Sequence, residues 1–94
     1  MPPLSIELSS RFRAEARALP AGLQAQIDQA LAQLSEAFGQ AHRHSGLGIR
    51  RLRGHYFEFR AGRDIRVVFT LEGSTAILRT VGSHDDVRKF LKNL

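Results

Sequence analysis

Two hydrophobic periods divide the first 40 residues. Residues 4–8 alternate apolar and polar side chains, which predicts a short strand because successive strand side chains point to opposite faces. From Ser9 onward the apolar side chains recur every three or four residues, the spacing of one helical face, and Pro20 divides this stretch into two helices. The predicted stripes are Phe12, Ala16 and Leu19, and then Leu23, Ile27, Leu31, Leu34 and Phe38. Such a helical hairpin needs a sheet to cover its apolar stripe.

The second half changes to a period of two, after a predicted loop at 42–48. The four strand candidates are 49–53, 56–61, 64–72 and 75–82. The connections between them are short and contain glycine, which is typical of hairpins and leaves no room for crossover helices. The four strands therefore predict an antiparallel meander.

A last helix is predicted after the fourth strand. Ser83 and Asp86 form an S-x-x-D capping pattern. Val87, Phe90 and Leu91 would supply the inner face of this helix. The predicted fold class is α+β, with a short N-terminal strand, an α-helical hairpin packed on a four-to-five-stranded antiparallel sheet, and a short C-terminal helix. With 94 residues, we expect a single domain over residues 1–94.

Sorting the strand residues by parity gives the sheet one apolar face and one arginine-rich face. The apolar face, which would meet the helices, collects Leu52, Phe57, Phe59, Ile65, Val67, Phe69 and Leu71. The opposite face, which we expect to point away from the helices, collects Arg51, Arg53, Tyr56, Glu58, Arg60, Arg66, Val68 and Thr70. Guanidinium groups are well shaped to bind phosphate, so this face predicts RNA or another polyanion as a ligand.

The distribution of charge supports a polyanionic ligand. Residues 1–41 carry three basic and four acidic side chains, for a net charge of −1, whereas residues 42–94 carry eleven basic and five acidic ones, for a net charge of +6. The whole chain has a net charge of +5. Arginine supplies twelve of the fourteen basic residues. A GC-rich genome would also raise the ratio of arginine to lysine, but it does not explain why the charge collects in one half.

Composition excludes several classes of protein. The chain has no cysteine, so it has neither disulfides nor thiolate metal sites. No apolar run approaches the roughly 18 residues of a membrane span, and the first residues lack a signal-peptide pattern, so we expect a cytoplasmic protein with no membrane partner. His42 and His44 form an H-x-H pair without a third ligand at suitable spacing, and we expect neither a metal nor another cofactor. His55, in a predicted turn, is expected to be a surface residue.

Four short motifs in the second half resemble those of the RelE/ParE toxin superfamily. They are Arg51-Leu52-Arg53-Gly54 (family pattern K-L-x-G), Tyr56-Phe57-Glu58-Phe59-Arg60 (Y-x-E-x-R), Asp64-Ile65-Arg66-Val67-Val68-Phe69 (Y-R-V-x-Y) and Val81-Gly82-Ser83-His84-Asp85-Asp86-Val87 (V-G-x-H/R-x-x-V). The order of predicted elements also resembles that of the superfamily, so the similarity covers nearly the whole chain. The resemblance implies the same fold.

The resemblance also implies a function. The superfamily consists of small bacterial toxins neutralised by antitoxins encoded beside them; one branch cleaves mRNA, generally in the ribosomal A site, and the other inhibits DNA gyrase. Arg66 matches the most recurrent active-site arginine, and His84 matches a position held by arginine or histidine in the mRNA-cleaving branch. Tyr56 and Glu58 fall where some members carry catalytic lysines, and Phe90 falls near a tyrosine of some nucleases.

RNA cleavage without metal sets the chemistry expected of these residues. The 2′-OH must lose a proton and attack the adjacent phosphate, the phosphorane gains negative charge, and the 5′-oxygen must be protonated as it leaves. We expect Arg66 and Arg60 to bind the phosphate and stabilise the transition state. His84 would transfer a proton, because imidazole titrates near neutral pH, and Glu58 would be the second acid–base group. The residues expected to bind RNA around them are Arg50, Arg51, Arg53, Tyr56 and Arg63.

The same residues also allow other interpretations. Arg66 paired with Glu58 across adjacent strands is a common structural device, and His84 at a helix start can simply follow the cap. The leading hypothesis is a RelE-like mRNA endoribonuclease with a cognate antitoxin, mRNA and the ribosome as partners. The alternatives are a ParE-like inhibitor of DNA gyrase without nuclease activity, and a degenerate member that binds only its antitoxin or RNA. In each case an acidic antitoxin segment is expected to cover the basic face.

Overall fold

A five-stranded sheet organises the computed structural model, which describes residues 4–37 and 48–94. The elements are β1 (Ser5–Leu8), α1 (Ser10–Arg17), α2 (Ala21–Ala37), β2 (Arg50–Arg53), β3 (Tyr56–Arg60), β4 (Arg66–Glu72), β5 (Thr75–Gly82) and α3 (His84–Lys92). Their order across the sheet is β1-β5-β4-β3-β2. The predicted helices and strands are confirmed. Phe38, the predicted end of the α2 stripe, lies outside the described residues, as does the predicted loop up to residue 47.

Local signals explain where the first two helices begin. Ser9 caps α1, because its Oγ accepts the backbone N–H of Phe12 at 3.1 Å. The carbonyl of Pro20 accepts the N–H groups of Leu23 and Gln24. The proline therefore stands just before the first turn of α2, where its fixed φ suits the chain.

The apolar stripes of α1 and α2 pack on one face of the sheet, as predicted. Phe12, Ile27 and Leu34 expose at most 3% of their surface. They form one buried cluster with the sheet residues Phe59, Val67, Phe69, Ala76, Leu78 and Val81. The predicted apolar face is thus the face on which the helical hairpin lies.

Strand pairing confirms the meander and makes the sheet mixed. Strands β2 to β5 pair with their sequence neighbours in antiparallel fashion. The antiparallel description holds for these four, whereas β1 pairs parallel to β5. A parallel neighbour requires a long connection that returns the chain to the same end of the sheet. The stretch from α1 through the meander provides that connection.

The arginine-rich face does not point away from all helices, and that prediction is wrong. Tyr56 on this face meets the ring of Phe90 in α3, with centroids 6.0 Å apart. Arg53 on the same face donates from Nη1 to the carbonyl of Leu91 at 3.0 Å. The physical reason is Val68, which points to this face, is fully buried, and needs an apolar cover. Helix α3 contacts β4 and β5 and supplies it.

A bulge in β2 changes which arginines share a face. The paired residues are Arg50 with Glu58, Arg51 with Phe57, and Arg53 with Tyr56. Because Leu52 is an extra residue between the last two pairs, the parity of β2 slips there. Arg51 therefore points to the same side as Phe57, and the prediction that it shares a face with Arg53, Arg60 and Arg66 is wrong.

Helix α1 covers the part of the β5 edge that β1 does not reach. Strand β1 ends at Leu8, and the next turns of the chain run beside the end of β5. Glu15 Oε1 accepts the backbone N–H of Val81 at 3.1 Å and the hydroxyl of Thr80 at 2.7 Å. One side chain therefore satisfies the backbone N–H of Val81, which the missing strand would otherwise leave unpaired, and the hydroxyl of Thr80 as well.

We expect Glu15→Ala to lower the free energy of unfolding by roughly 1–3 kcal/mol, because it leaves two donors without an acceptor. Glu15→Gln is the matched control, since its amide oxygen can still accept both hydrogen bonds. Urea denaturation followed by circular dichroism measures the difference. Equal losses in the two variants would show that the charge, and not the acceptor, matters at this edge.

Candidate active site

The register of β4 and β5 brings Arg66 next to His84. Arg66, the first residue of β4, pairs with Gly82 at the end of β5. After Ser83, the chain turns into α3, whose first residue is His84. Arg66 and His84 line one open depression of about 330 Å³. Two residues that lie 18 positions apart in the sequence thus form one site.

Arg66 is held in place by a buried carboxylate. Its Nη1 donates to Glu58 Oε2 at 2.7 Å, and Arg50 Nε lies 3.3 Å from the same oxygen. Glu58 exposes only 1% of its side chain, Arg66 exposes 22%, and Arg50 exposes 60%. The cross-strand pair of Arg66 and Glu58 predicted from the sequence is confirmed, and the structure adds Arg50 as a second cation.

This ion pair leaves much of the Arg66 guanidinium available. A guanidinium carries five N–H groups in a rigid fork, and the bond to Glu58 uses one of them. The remaining groups are part of a side chain that lines the depression. Glu58 is too buried to touch a ligand there, so its contact with the site passes through Arg66.

A capping box fixes the backbone that carries His84. Ser83 Oγ accepts the N–H of Asp86 at 3.2 Å, and Asp86 Oδ2 accepts the N–H of Ser83 at 2.9 Å. Gly82 is required by close packing, because a Cβ at this position would lie 2.7 Å from the Cβ and Oδ2 of Asp86. The imidazole of His84 is exposed beyond this cap. Its position thus follows from the helix start predicted by the S-x-x-D pattern.

Of the other predicted arginines, one lines the depression and one pairs with Arg66 in the sheet. Arg60 is exposed and pairs directly with Arg66, and its stem lies beside Gly48. Arg63, in the turn between β3 and β4, lines the depression. Two carboxylates, Asp64 and Asp85, also line it and offset part of the positive charge. Phosphate binding would thus depend on the orientation of the guanidinium groups more than on a uniform positive field.

The remaining predicted residues lie farther along the sheet. Arg53 contacts the end of α3 through Leu91, and Tyr56 lies on the same face. Arg51, on the other side, donates from Nε to the carbonyl of Gly54 at 2.6 Å. The structure therefore brings Arg66, His84 and Arg63 together and keeps Arg51 away from them.

An aromatic cluster lies on the arginine-rich face and was not anticipated as such. The ring of His55 is stacked on Tyr56, with centroids 5.2 Å apart and an angle of 27° between the planes. Tyr56 meets Phe90 edge to face, and the guanidinium of Arg11 lies 5.0 Å from the centre of the Phe90 ring. In the sequence, this cluster is indicated by two consecutive ring-bearing residues, His55 and Tyr56, directly after Gly54 in the β2–β3 hairpin.

Among residues 4–37 and 48–94, no three histidine, aspartate or glutamate side chains are grouped as a metal would require. The H-x-H pair of His42 and His44 lies outside these ranges.

The fold is that of the RelE and YafQ toxins. The RelB–RelE antitoxin–toxin complex of Methanococcus jannaschii matches with a TM-score of 0.69 and 15% identity, over 89% of this chain and 96% of that chain. The RelE–RelB complex of Pyrococcus horikoshii matches with a TM-score of 0.69 and 12% identity, over 88% and 96%. The DinJ–YafQ complex of E. coli matches with a TM-score of 0.68 and 13% identity, over 89% and 96%. No protein-family model matches the sequence, and no curated protein was found to be similar to it.

The capping box predicts a dependence of stability on pH. Hydrogen bonds from the backbone and then from the side chain of Ser83 hold the pKa of Asp86 below its usual value of 3.8. A carboxylate with a lowered pKa in the folded state stabilises the fold above its unfolded pKa, and this stabilisation is lost as the pH falls through the lowered value. We expect Asp86→Asn to lower the free energy of unfolding by about 1 kcal/mol at neutral pH. The difference from the wild type should shrink as the pH falls below 3.8 and vanish once Asp86 is protonated in the folded state as well.

Urea denaturation at a series of pH values, from neutral into the acid range, measures this effect. Asp85→Asn is the control, because it removes a negative charge from the same helical turn without touching Ser83. An Asp86→Asn variant no less stable than Asp85→Asn at neutral pH would contradict the role of the cap.

Proposed function

We propose that this protein is the toxin of a type II toxin–antitoxin system and acts as a metal-independent endoribonuclease of the RelE-like branch. The observation that carries the proposal is the open depression shared by Arg66 and His84, with Arg66 oriented by a buried carboxylate. The fold supports it, because the matching solved structures include toxins in complex with antitoxins. The substrate would be mRNA, bound free or on the ribosome.

In this proposal the arginines bind the scissile phosphate. Arg66 offers its outward N–H groups to two phosphate oxygens, and Arg63 approaches from the turn on the same depression. Arg60, opposite Arg66 in the sheet, is exposed and adds a third cation. These donors stabilise the extra negative charge of the phosphorane, which is the larger part of the catalytic effect.

His84 would transfer the proton at the attacking oxygen. The neutral imidazole accepts the proton of the 2′-OH while the 2′-oxygen forms a bond to phosphorus. The bond between phosphorus and the 5′-oxygen breaks, and that oxygen takes a proton from the solvent in the open depression. The products are a 2′,3′-cyclic phosphate and a 5′-hydroxyl, and no metal takes part.

Glu58 fits a positioning role better than the acid–base role expected from the sequence. A side chain with 1% exposure, bound to two guanidinium groups through one oxygen, does not reach an RNA oxygen in the depression. We assign it the orientation of Arg66 and Arg50, and Arg50 together with Arg53 and Tyr56 would bind RNA beyond the scissile phosphate.

The proposed partners follow from the fold and the charge. A cognate antitoxin with an acidic segment would cover the arginine-rich face and block access of RNA. The expected location is the cytoplasm, where mRNA is found. In residues 4–37 and 48–94, every helix falls short of the length and apolarity needed to cross a membrane.

Induction of the protein in bacteria, followed by mapping of mRNA 5′ ends, tests the proposal. We expect new 5′ ends with the wild type. Arg66→Ala or His84→Ala should lower the cleavage rate about 100-fold or more, measured on purified mRNA with and without ribosomes. Added imidazole should partly restore the His84→Ala variant, because it replaces the missing proton acceptor.

Arg17→Ala, on the exposed side of α1, is the control for loss of a positive charge and should cleave normally. A parallel assay of plasmid supercoiling addresses the gyrase alternative. Intact mRNA with altered supercoiling would contradict the nuclease and favour a ParE-like inhibitor.

A separate prediction concerns Glu58. We expect Glu58→Gln to lower kcat about tenfold or more, because Arg66 loses the charge that orients it. The shape of the pH–rate profile should stay that of the wild type, since Glu58 transfers no proton in this scheme. Loss of one limb of the profile in Glu58→Gln would instead identify Glu58 as an acid–base group.

A further inference from the structure

The aromatic cluster at the β2–β3 hairpin has no role in the chemistry proposed above. His55 is exposed, and its ring lies nearly parallel to that of the half-buried Tyr56. Tyr56 is in turn fixed by Phe90, which is itself half-buried in α3. The ring of His55 is therefore an exposed flat surface whose other side lies against the half-buried ring of Tyr56.

This surface lies on the same strip of the sheet as the phosphate-binding residues. Tyr56 and Arg60 are the two ends of β3, four residues apart, which corresponds to about 13 Å along a strand. Arg60 is directly opposite Arg66. Side chains at even positions of β3 point to one face. Helix α3 covers the middle of that face, so an RNA strand that reaches both ends would pass along the edge strand β2, beside the exposed Arg50.

Flat rings next to cations are typical of surfaces that bind single-stranded nucleic acid. Every nucleobase has a π face that can stack on an aromatic ring, while arginines follow the phosphates. Arg53 lies beside the hairpin on the same face as Tyr56, and it donates a hydrogen bond to the carbonyl of Leu91. An acidic peptide would use the same cations but would gain little from an exposed imidazole stacked on a phenol ring.

We infer that the exposed ring of His55 stacks on a nucleobase of single-stranded RNA whose phosphate lies at Arg66. The inference rests on the proposed function for the identity of the RNA. It adds a base-binding subsite, formed by His55 on Tyr56, to a site described so far by phosphate contacts alone.

Binding is measured separately from cleavage with a fully 2′-O-methylated single-stranded oligoribonucleotide, which cannot undergo attack by the 2′-oxygen. We expect His55→Ala to weaken its binding by roughly 5- to 100-fold, and His55→Phe to bind as tightly as the wild type. The slope of log affinity against log salt concentration should be unchanged in His55→Ala, because no phosphate contact is lost. Arg50→Ala, in contrast, should reduce that slope by about one.

A fluorescence experiment tests stacking directly. The chain has no tryptophan, so His55→Trp introduces a single reporter at the subsite. We expect its emission to be quenched by the 2′-O-methylated RNA and to be unaffected by inorganic polyphosphate, which binds cations but has no bases. Gln29→Trp, on the exposed side of α2, is the control and should respond to neither.

The outcomes distinguish this inference from the proposed function. Unchanged affinity in His55→Ala, a reduced salt slope, or equal quenching by polyphosphate would overturn the base-binding subsite even if RNA is cleaved. The expected affinities and quenching, with unmodified RNA left intact both with and without ribosomes, would support the subsite and contradict the nuclease. A wild type that does not bind the methylated RNA would overturn the subsite alone, because a nuclease that acts on the ribosome need not bind free RNA.

Discussion

Burial of β4 on both faces is the constraint on which the rest of the structure depends. Four consecutive residues, Val67 to Thr70, expose at most 1% of their surface. A strand buried in this way needs cover on each side of the sheet. The helical hairpin covers Val67 and Phe69, and α3 must therefore cover Val68. Full burial of one such valine is worth about 1.5–3 kcal/mol, which is part of what holds the nine-residue helix on this face.

The position of α3 then determines the site. Only one residue, Ser83, separates the end of β5 from the start of the helix, so α3 begins beside the residue that pairs with Gly82. That residue is Arg66. The helix that covers Val68 thus also places His84 next to the best-oriented guanidinium of the sheet. Strand β4 and helix α3 are therefore central to both the fold and the candidate active site. A change that shifts α3 would affect both.

The sequence predicted most of this arrangement, and its failures have physical causes. The alternation of apolar and polar residues predicted the four strands and the face that packs in the core. It also predicted that Glu58 and Arg66 lie close enough to form an ion pair. The alternation predicted the wrong face for Arg51, because the bulge at Leu52 reverses which face the following side chains point to, and nothing in the residue types marks the bulge. It also failed to assign α3 to a face, since Val87 and Phe90 predict an inner face but do not say which side of the sheet it meets. Val68, apolar on an otherwise polar face, was the available signal.

The arrangement of charges is poor for stability and favourable for binding an anion. Arg60 and Arg66 lie directly opposite each other, and like charges in that position destabilise a sheet. Burial of the Glu58 carboxylate is costly too, and the two guanidinium contacts only offset that cost. Since Glu58 binds Arg66 through one N–H group, a phosphate can bind the others without displacing it. The guanidinium is then already oriented before RNA arrives, so no reorganisation is needed as charge develops on the phosphorane. The proposed function requires a site whose positive charges repel one another when it is empty and are neutralised by a bound anion. A purely structural ion pair between Glu58 and Arg66 would not need Arg50 and Arg60 as well.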